Sequence, residues 1–157
     1  MAKKRILFYS HDTFGLGHIR RTQKIANRLA NDDTAIIIIC SSPKTNDFSS
    51  KPGIEYLKLP GFTKQHTGDY VARNLNVDID EFIRIRSELI LSAVKSFKPD
   101  VFIVDKEPLG IKAELLPALE YLKSEIPNCF CICGLRDILD SPEKIKSEWK
   151  RRSSQAA

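Results

Sequence analysis

The sequence has no apolar run long enough to cross a bilayer. Its longest, residues 35–40, falls far short of the roughly 20 residues that a membrane helix needs. Residues 6–9 follow Lys3, Lys4 and Arg5, but the apolar stretch stops at Ser10, His11 and Asp12, so a signal peptide is not expected. A cytoplasmic location is expected. Cysteine is scarce: Cys129, Cys131 and Cys133 alternate in one segment, and Cys40 lies apart. No C-x-x-C pair with second partners is present, which excludes the common zinc patterns, and no disulfide framework is expected. Alternation puts three thiols on one face of a strand, and they read as buried thiols of a central strand. No G-K-[ST] occurs, so there is no P-loop. No basic stripe interleaved with aromatics or a recognition helix is found, so nucleic acid is not an expected partner.

What is present describes an ordinary soluble globular chain. The 157 residues suit one domain, residues 1–157, that buries about two thirds of its unfolded surface. With 42% hydrophobic and 29% charged residues, wholesale disorder is excluded. The net charge of +5 is concentrated in part at the ends, at Lys3 to Arg5 and at Lys144, Lys146, Lys150, Arg151 and Arg152. The basic end is either a solvated face or a surface for peripheral contact with an anionic membrane at its inner face.

Apolar bursts alternate with helical periodicity. Residues 6–9 read as a first strand. From His18 onward, Ile19, Thr22, Ile25, Ala26 and Leu29 recur at helical spacing. Residues 35–40 are continuous, β-branched and apolar, as in a strand covered on both faces of a parallel sheet. Residues 54–59 read as a third strand and 60–78 as a long loop. An amphipathic helix follows over 79–97, ended by Lys98-Pro99-Asp100. Residues 101–104 read as a fourth strand and 111–124 as a helix distorted early by Pro117. Residues 128–133 read as a fifth strand, and a basic helix begins after Ser141-Pro142. This order predicts an α/β fold: a doubly wound, mainly parallel, Rossmann-like sheet with helices on both faces. Ligands of such sheets bind at the carboxyl ends of the strands.

The loop after strand one carries Gly15-Leu16-Gly17-His18. Glycines there let backbone approach a ligand, and free N–H groups at a helix start attract anions. A tight strand–helix connection explains the same glycines. The dinucleotide fingerprint fails, because Arg20 stands where its third glycine belongs and Ser41 and Ser42 stand where a ribose-binding acid is expected. His18 would sit at the mouth of the switch-point crevice. Asp105 ends strand four, beside strand one in the usual order, so the two side chains have a route to one crevice. A carboxylate bonded to one ring nitrogen fixes the tautomer and raises the basicity of the other, which makes a general base for a hydroxyl. His11 and Asp12, on the same loop, either line an acceptor site or are solvated. His66, Asp69 and Tyr70 lie on the long middle loop.

Residues 8–21, Phe-Tyr-Ser-His-Asp-Thr-Phe-Gly-Leu-Gly-His-Ile-Arg-Arg, resemble the opening of GT-B glycosyltransferases. The closest flavour is the peptidoglycan N-acetylglucosaminyltransferase and its family 28-like relatives. Residues 98–105, Lys-Pro-Asp-Val-Phe-Ile-Val-Asp, resemble their fourth-strand segment. The resemblance implies the acceptor-side half of a two-domain GT-B fold. It implies His18 as the base that deprotonates an acceptor hydroxyl and Asp105 as the residue orienting it. Gly15 and Gly17 would approach the donor diphosphate. It implies no cofactor and no metal, a UDP-linked nucleotide sugar as co-substrate, and a sugar or lipid-linked acceptor. The partner implied is a C-terminal donor-binding domain or subunit, which is expected to be missing from this chain, leaving it inactive alone. The family's second Gly-rich loop is replaced by residues 105–110, where Glu107 is a rival to Asp105 or an additional acid. A non-catalytic nucleotide- or protein-binding module is the alternative.

Overall fold

Each apolar burst becomes a strand, and the most apolar of them lies inside the sheet. The computed structural model describes residues 3–12, 16–43, 51–64, 69–135, 141–143 and 146. In chain order its elements are β1 (Lys4–Tyr9), α1 (Gly17–Leu29), β2 (Thr34–Cys40), β3 (Ile54–Lys58), β4 (Phe62–Lys64), β5 (Tyr70–Ala72), α2 (Ile79–Phe97), β6 (Val101–Asp105), a 3-10 turn (Ile111–Ala113), α3 (Leu116–Glu125) and β7 (Phe130–Gly134). Five strands form one parallel sheet in the order β3-β2-β1-β6-β7. The chain therefore winds outward from β1 to β3 and returns on the other side of β1. The switch point lies between β1 and β6, where Tyr9 is in register with Val104. The fold is α/β and Rossmann-like, as the alternation predicted.

Both faces of the middle of the sheet are covered, while β7 is exposed along most of its length. On one, Ile19 and Ala26 of α1 pack on Ile6, Phe8, Ile36 and Ile38. On the other, Ile90 and Val94 of α2 and Ala118 and Leu122 of α3 pack on Leu7, Tyr9, Ile39 and Phe102. Fully burying side chains of this size contributes about 1.5–3 kcal/mol each. Local chemistry marks the junctions. Asp78 caps α2 by accepting the Glu81 N–H at 2.8 Å. Lys98 ends it in the left-handed region at φ 48°, and Asp100 then accepts the Arg5 N–H at 2.7 Å, which aligns β6 with β1. No helix among the described residues is long and apolar enough to cross a membrane.

Three expectations need correction. Residues 60–78 are not a plain loop: β4 and β5 form an antiparallel pair within them, anchored by Phe62, which is fully buried against Phe82 with ring centroids 5.0 Å apart. Pro117 does not distort a helix over 111–124. It sits in the first turn of α3, where its missing N–H costs nothing. The irregularity is upstream, at Lys112 and Ala113, with φ 49° and 61°. The cysteines are not in a central strand. β7 is an edge strand, and Cys131 and Cys133 are exposed while Cys129 is half-buried. The basic helix after Ser141 is described only at residues 142, 143 and 146, which are helical; the rest of residues 144–152 lie outside the described residues.

The sequence pattern also concealed a buried ion pair. Arg86 stands in the middle of the buried stripe of α2, between Phe82 and Ile90, and its side chain is 1% exposed. Its Nε donates to Glu114 Oε2 at 2.6 Å and its Nη2 to Glu114 Oε1 at 2.8 Å. Its Nη1 donates to the Pro60 carbonyl, and its guanidinium carbon lies 4.5 Å from the centre of the Phe62 ring. Tyr9 donates its hydroxyl to Glu114 as well. Burial, with Glu114 alongside, lifts the Tyr9 hydroxyl well above its ordinary range, so it stays a donor.

Two predictions follow from this packing. Arg86→Ala should destabilise the protein by about 3–5 kcal/mol, because it leaves a buried carboxylate without its cation. The double variant Arg86→Met/Glu114→Leu should lie closer to wild type than either single truncation in urea denaturation; equal or additive losses would contradict the account. Native-state alkylation mapped by mass spectrometry should modify Cys131 first and leave buried Cys40 untouched. Cys129 should lag, because burial, then Cys131 beside it, pushes its thiol up to about 12 and leaves little thiolate. Cys129 reacting as fast as Cys131 would refute this.

Candidate functional site

The site is assembled where β1 and β6 diverge. β1 delivers residues 10–12 and then α1, whose second residue is His18. β6 ends on Asp105, in register with Gly134 of β7. His18 and Asp105, 87 residues apart, meet with Nδ1 and Oδ2 separated by 2.5 Å. An ionised carboxylate only accepts, so Nδ1 carries the hydrogen, and in the neutral imidazole Nε2 carries the lone pair. Both side chains are largely covered, at 15% and 7% exposure. The imidazole therefore sits in a partly desolvated place with its tautomer set by the carboxylate.

A third residue joins them. Arg21, one helical turn after His18, contacts the other carboxylate oxygen of Asp105 through Nη2 and lies 3.4 Å from the Gly134 carbonyl. Sequence reasoning missed it, although the spacing of three places it on the same face of α1 as His18. The start of α1 explains why both are drawn to Asp105. It has no side-chain cap and no acidic residue in its first turn. Its first N–H groups have no partner within the helix, and with Arg21 they make a positive end that no acidic residue of its own first turn neutralises. The carboxylate of β6 supplies that charge from outside the helix.

The other expected site residues divide. His11 is buried and its ring meets that of His18 edge-on, with centroids 5.7 Å apart. Asp12 is not solvated: it is 4% exposed, its carboxylate accepts from Ser10 Oγ at 2.7 Å and the Ser41 N–H at 3.3 Å, and its carbonyl accepts from Ser41 Oγ at 2.9 Å. It locks the loops after β1 and β2 together. Glu107 is not the partner that meets Nδ1; its carboxylate lies 3.7 Å from Lys106 Nζ. Gly17 opens α1, and a Cβ there would meet nothing within 4 Å among the described residues. Its conformation does not demand glycine. Gly15 and His66 lie outside the described residues. Tyr70 belongs to β5 and packs edge-on against Phe62 at 5.7 Å. Asp69 is exposed just before it.

A hollow of about 180 Å³ lies beside the pair, lined by Phe8, Ile25, Ile103, Arg21, Asp105 and their neighbours. This is below the roughly 300–1,000 Å³ of common ligand pockets. A larger one of about 490 Å³ lies at the opposite edge of the sheet, among Lys3, Arg5, Lys98 and Asp100. It is remote from the His18–Asp105 pair and from the strand ends where such folds bind ligands. Among the described residues, no group of three or more His, Cys, Asp or Glu side chains could hold a metal ion.

The fold and this edge define a Rossmann-like α/β domain with a histidine–aspartate pair at its switch point. No protein-family model matches the chain, and no curated protein matches it.

Asp12 gives the site a pH signature. Burial holds its carboxyl above the usual aspartate range, against the opposing hydrogen bonds of Ser10, Ser41 and Ser42 and the nearby His18. Folded Asp12 thus takes up a proton at higher pH than the unfolded chain does. Between those two values the folded state holds more protons, so stability rises as pH falls through the folded value. Wild type should gain stability relative to Asp12→Asn as pH is lowered from neutral to about 4, as read by urea midpoints. A difference that stays constant with pH would refute the assignment.

Proposed function

We propose that this chain is the acceptor-binding half of a nucleotide-sugar-dependent glycosyltransferase, with His18 as general base. The observation that carries the reading is the contact between His18 Nδ1 and Asp105 at the switch point. It leaves Nε2 as the proton-accepting atom at the edge of the sheet where ligands of such folds bind. In the proposed step an acceptor hydroxyl gives its proton to Nε2. Its oxygen bonds to the anomeric carbon of a UDP-linked hexose, and the bond from that carbon to the diphosphate oxygen breaks. The diphosphate leaves with the electron pair. Asp105 stabilises the imidazolium that forms. The resemblance of residues 8–21 and 98–105 to GT-B transferases supports the same assignment. A donor-binding half carried by further polypeptide is required, because the donor must be held in line with the acceptor for the reaction to proceed. A lipid-linked acceptor would bring the protein to the inner face of a membrane.

A non-catalytic binding module is the second reading. The observation in its favour is that Asp105 is shared between His18 and Arg21, as in a purely structural clamp.

The test is transfer of labelled sugar from a panel of UDP-hexoses to lipid and free-sugar acceptors, with the chain mixed with a GT-B donor-binding domain. Transfer should depend on the chain and fall by about 10²–10⁴-fold in His18→Ala. Undiminished transfer by that variant would remove His18 from its role. A tightly bound nucleotide with no transfer in any mixture would favour the binding module.

A further inference from the structure

Asp105 has two carboxylate oxygens and a nitrogen of α1 against each. Oδ2 lies 2.5 Å from His18 Nδ1, and Oδ1 meets Arg21 Nη2. Both neighbours stand on one face of α1, in a helix start that carries no acidic residue in its first turn. Arg21 also reaches the carbonyl of Gly134, the residue in register with Asp105. The same carbonyl accepts the Lys106 N–H at 2.9 Å, so Arg21 is tied to the turn that aims Asp105.

We infer that Arg21 is a positioning residue for the pair: by holding Oδ1 it keeps Asp105 ionised and turned toward Nδ1, and it thereby sets the pH at which the imidazolium gives up its proton. The inference rests on the reading of His18 as that base. A carboxylate held at one oxygen turns about its broad χ2 well, and a second contact on the other oxygen removes that freedom. The guanidinium also acts on the proton balance. Asp105 attracts an imidazolium, whereas Arg21 shares that attraction and repels the imidazolium directly. With Arg21 in place, His18 releases its proton at a lower pH than Asp105 alone would allow. The other titratable groups around the pair are His11 and Asp12 on the loop after β1, Lys106 and Glu107 on the loop after β6, and Cys133 on β7. These are unchanged in the variants that test the inference.

The test is an NMR titration of the full chain labelled with ¹⁵N and ¹³C in its three histidines, with His18 assigned from the His18→Gln spectrum. Arg21→Gln should raise the His18 titration midpoint by about half a pH unit or more and mix the two neutral tautomers. Arg21 is 35% exposed, so glutamine fits there without disturbing the core. Arg21→Lys should keep the wild-type midpoint, because the charge stays, while losing part of the tautomer preference, because the fork is gone. Asp105→Asn should lower the midpoint. If Asp105→Asn lowers it but Arg21→Gln leaves it unchanged or lower, the role of Arg21 is overturned and the pair stands. If neither variant moves midpoint or tautomer, the pair does not form in solution and the reading of His18 as an oriented base falls with it.

Discussion

The buried pair of Arg86 and Glu114 holds the rest of the structure in place. Two charges with side chains 1% and 0% exposed are costly to remove from water. Their desolvation is offset by the hydrogen bonds that both groups make. The fork of Arg86 grips both oxygens of Glu114, its remaining nitrogen meets the Pro60 carbonyl, and Tyr9 adds a further donor. Four separate segments are thereby tied to one point: α2, the end of β1, the chain leaving β3, and the stretch between β6 and α3. The bonds are directional, so they fix how these four segments sit against one another.

That point lies one loop away from the His18–Asp105 pair. Asp105 begins the stretch and Glu114 ends it. Between them Lys106 and Lys112 hold φ 70° and 49°, and Ala113 holds 61°, all in the left-handed region that non-glycine residues rarely adopt. Such backbone persists only where its surroundings over-determine it. Here Glu114 is fixed by the buried network and the Lys106 N–H by the Gly134 carbonyl. The carboxylate of Asp105 is thus aimed from a loop clamped at both ends. Its target is a helix start whose own residues leave positive charge unanswered, and the two deficits complete each other across the switch point.

Behind this edge, the loops after β1 and β2 are closed on Asp12. A carboxylate this buried is raised toward its neutral form by desolvation, and the serine hydrogen bonds pull it back. His11, next to Asp12 in the chain, meets the His18 ring edge-on. His11 and Ile19 are both buried beside the imidazole.

Strand and helix order, the parallel sheet, and the pairing of one particular histidine with one particular aspartate were legible in the chain, because they follow from short-range periodicity and from the rule that ligands gather at strand ends. The β-branched run 35–40, the helix over 79–97 and the breaker at residues 98–100 are local patterns, and local patterns survive folding. The other features came from contacts between segments distant along the chain. Arg86 looks like a polar break in an apolar stripe until Glu114 is brought against it. Arg21 looks like a solvated helix residue until Asp105 arrives, Asp12 like a loop residue until Ser41 covers it, and the alternating cysteines like core until β7 proves to be an edge. The amino-acid sequence alone determined the elements and their winding; which charges are buried, which are shared and which thiols are exposed was decided only by the tertiary structure, because desolvation and charge pairing depend on neighbours that no local pattern specifies.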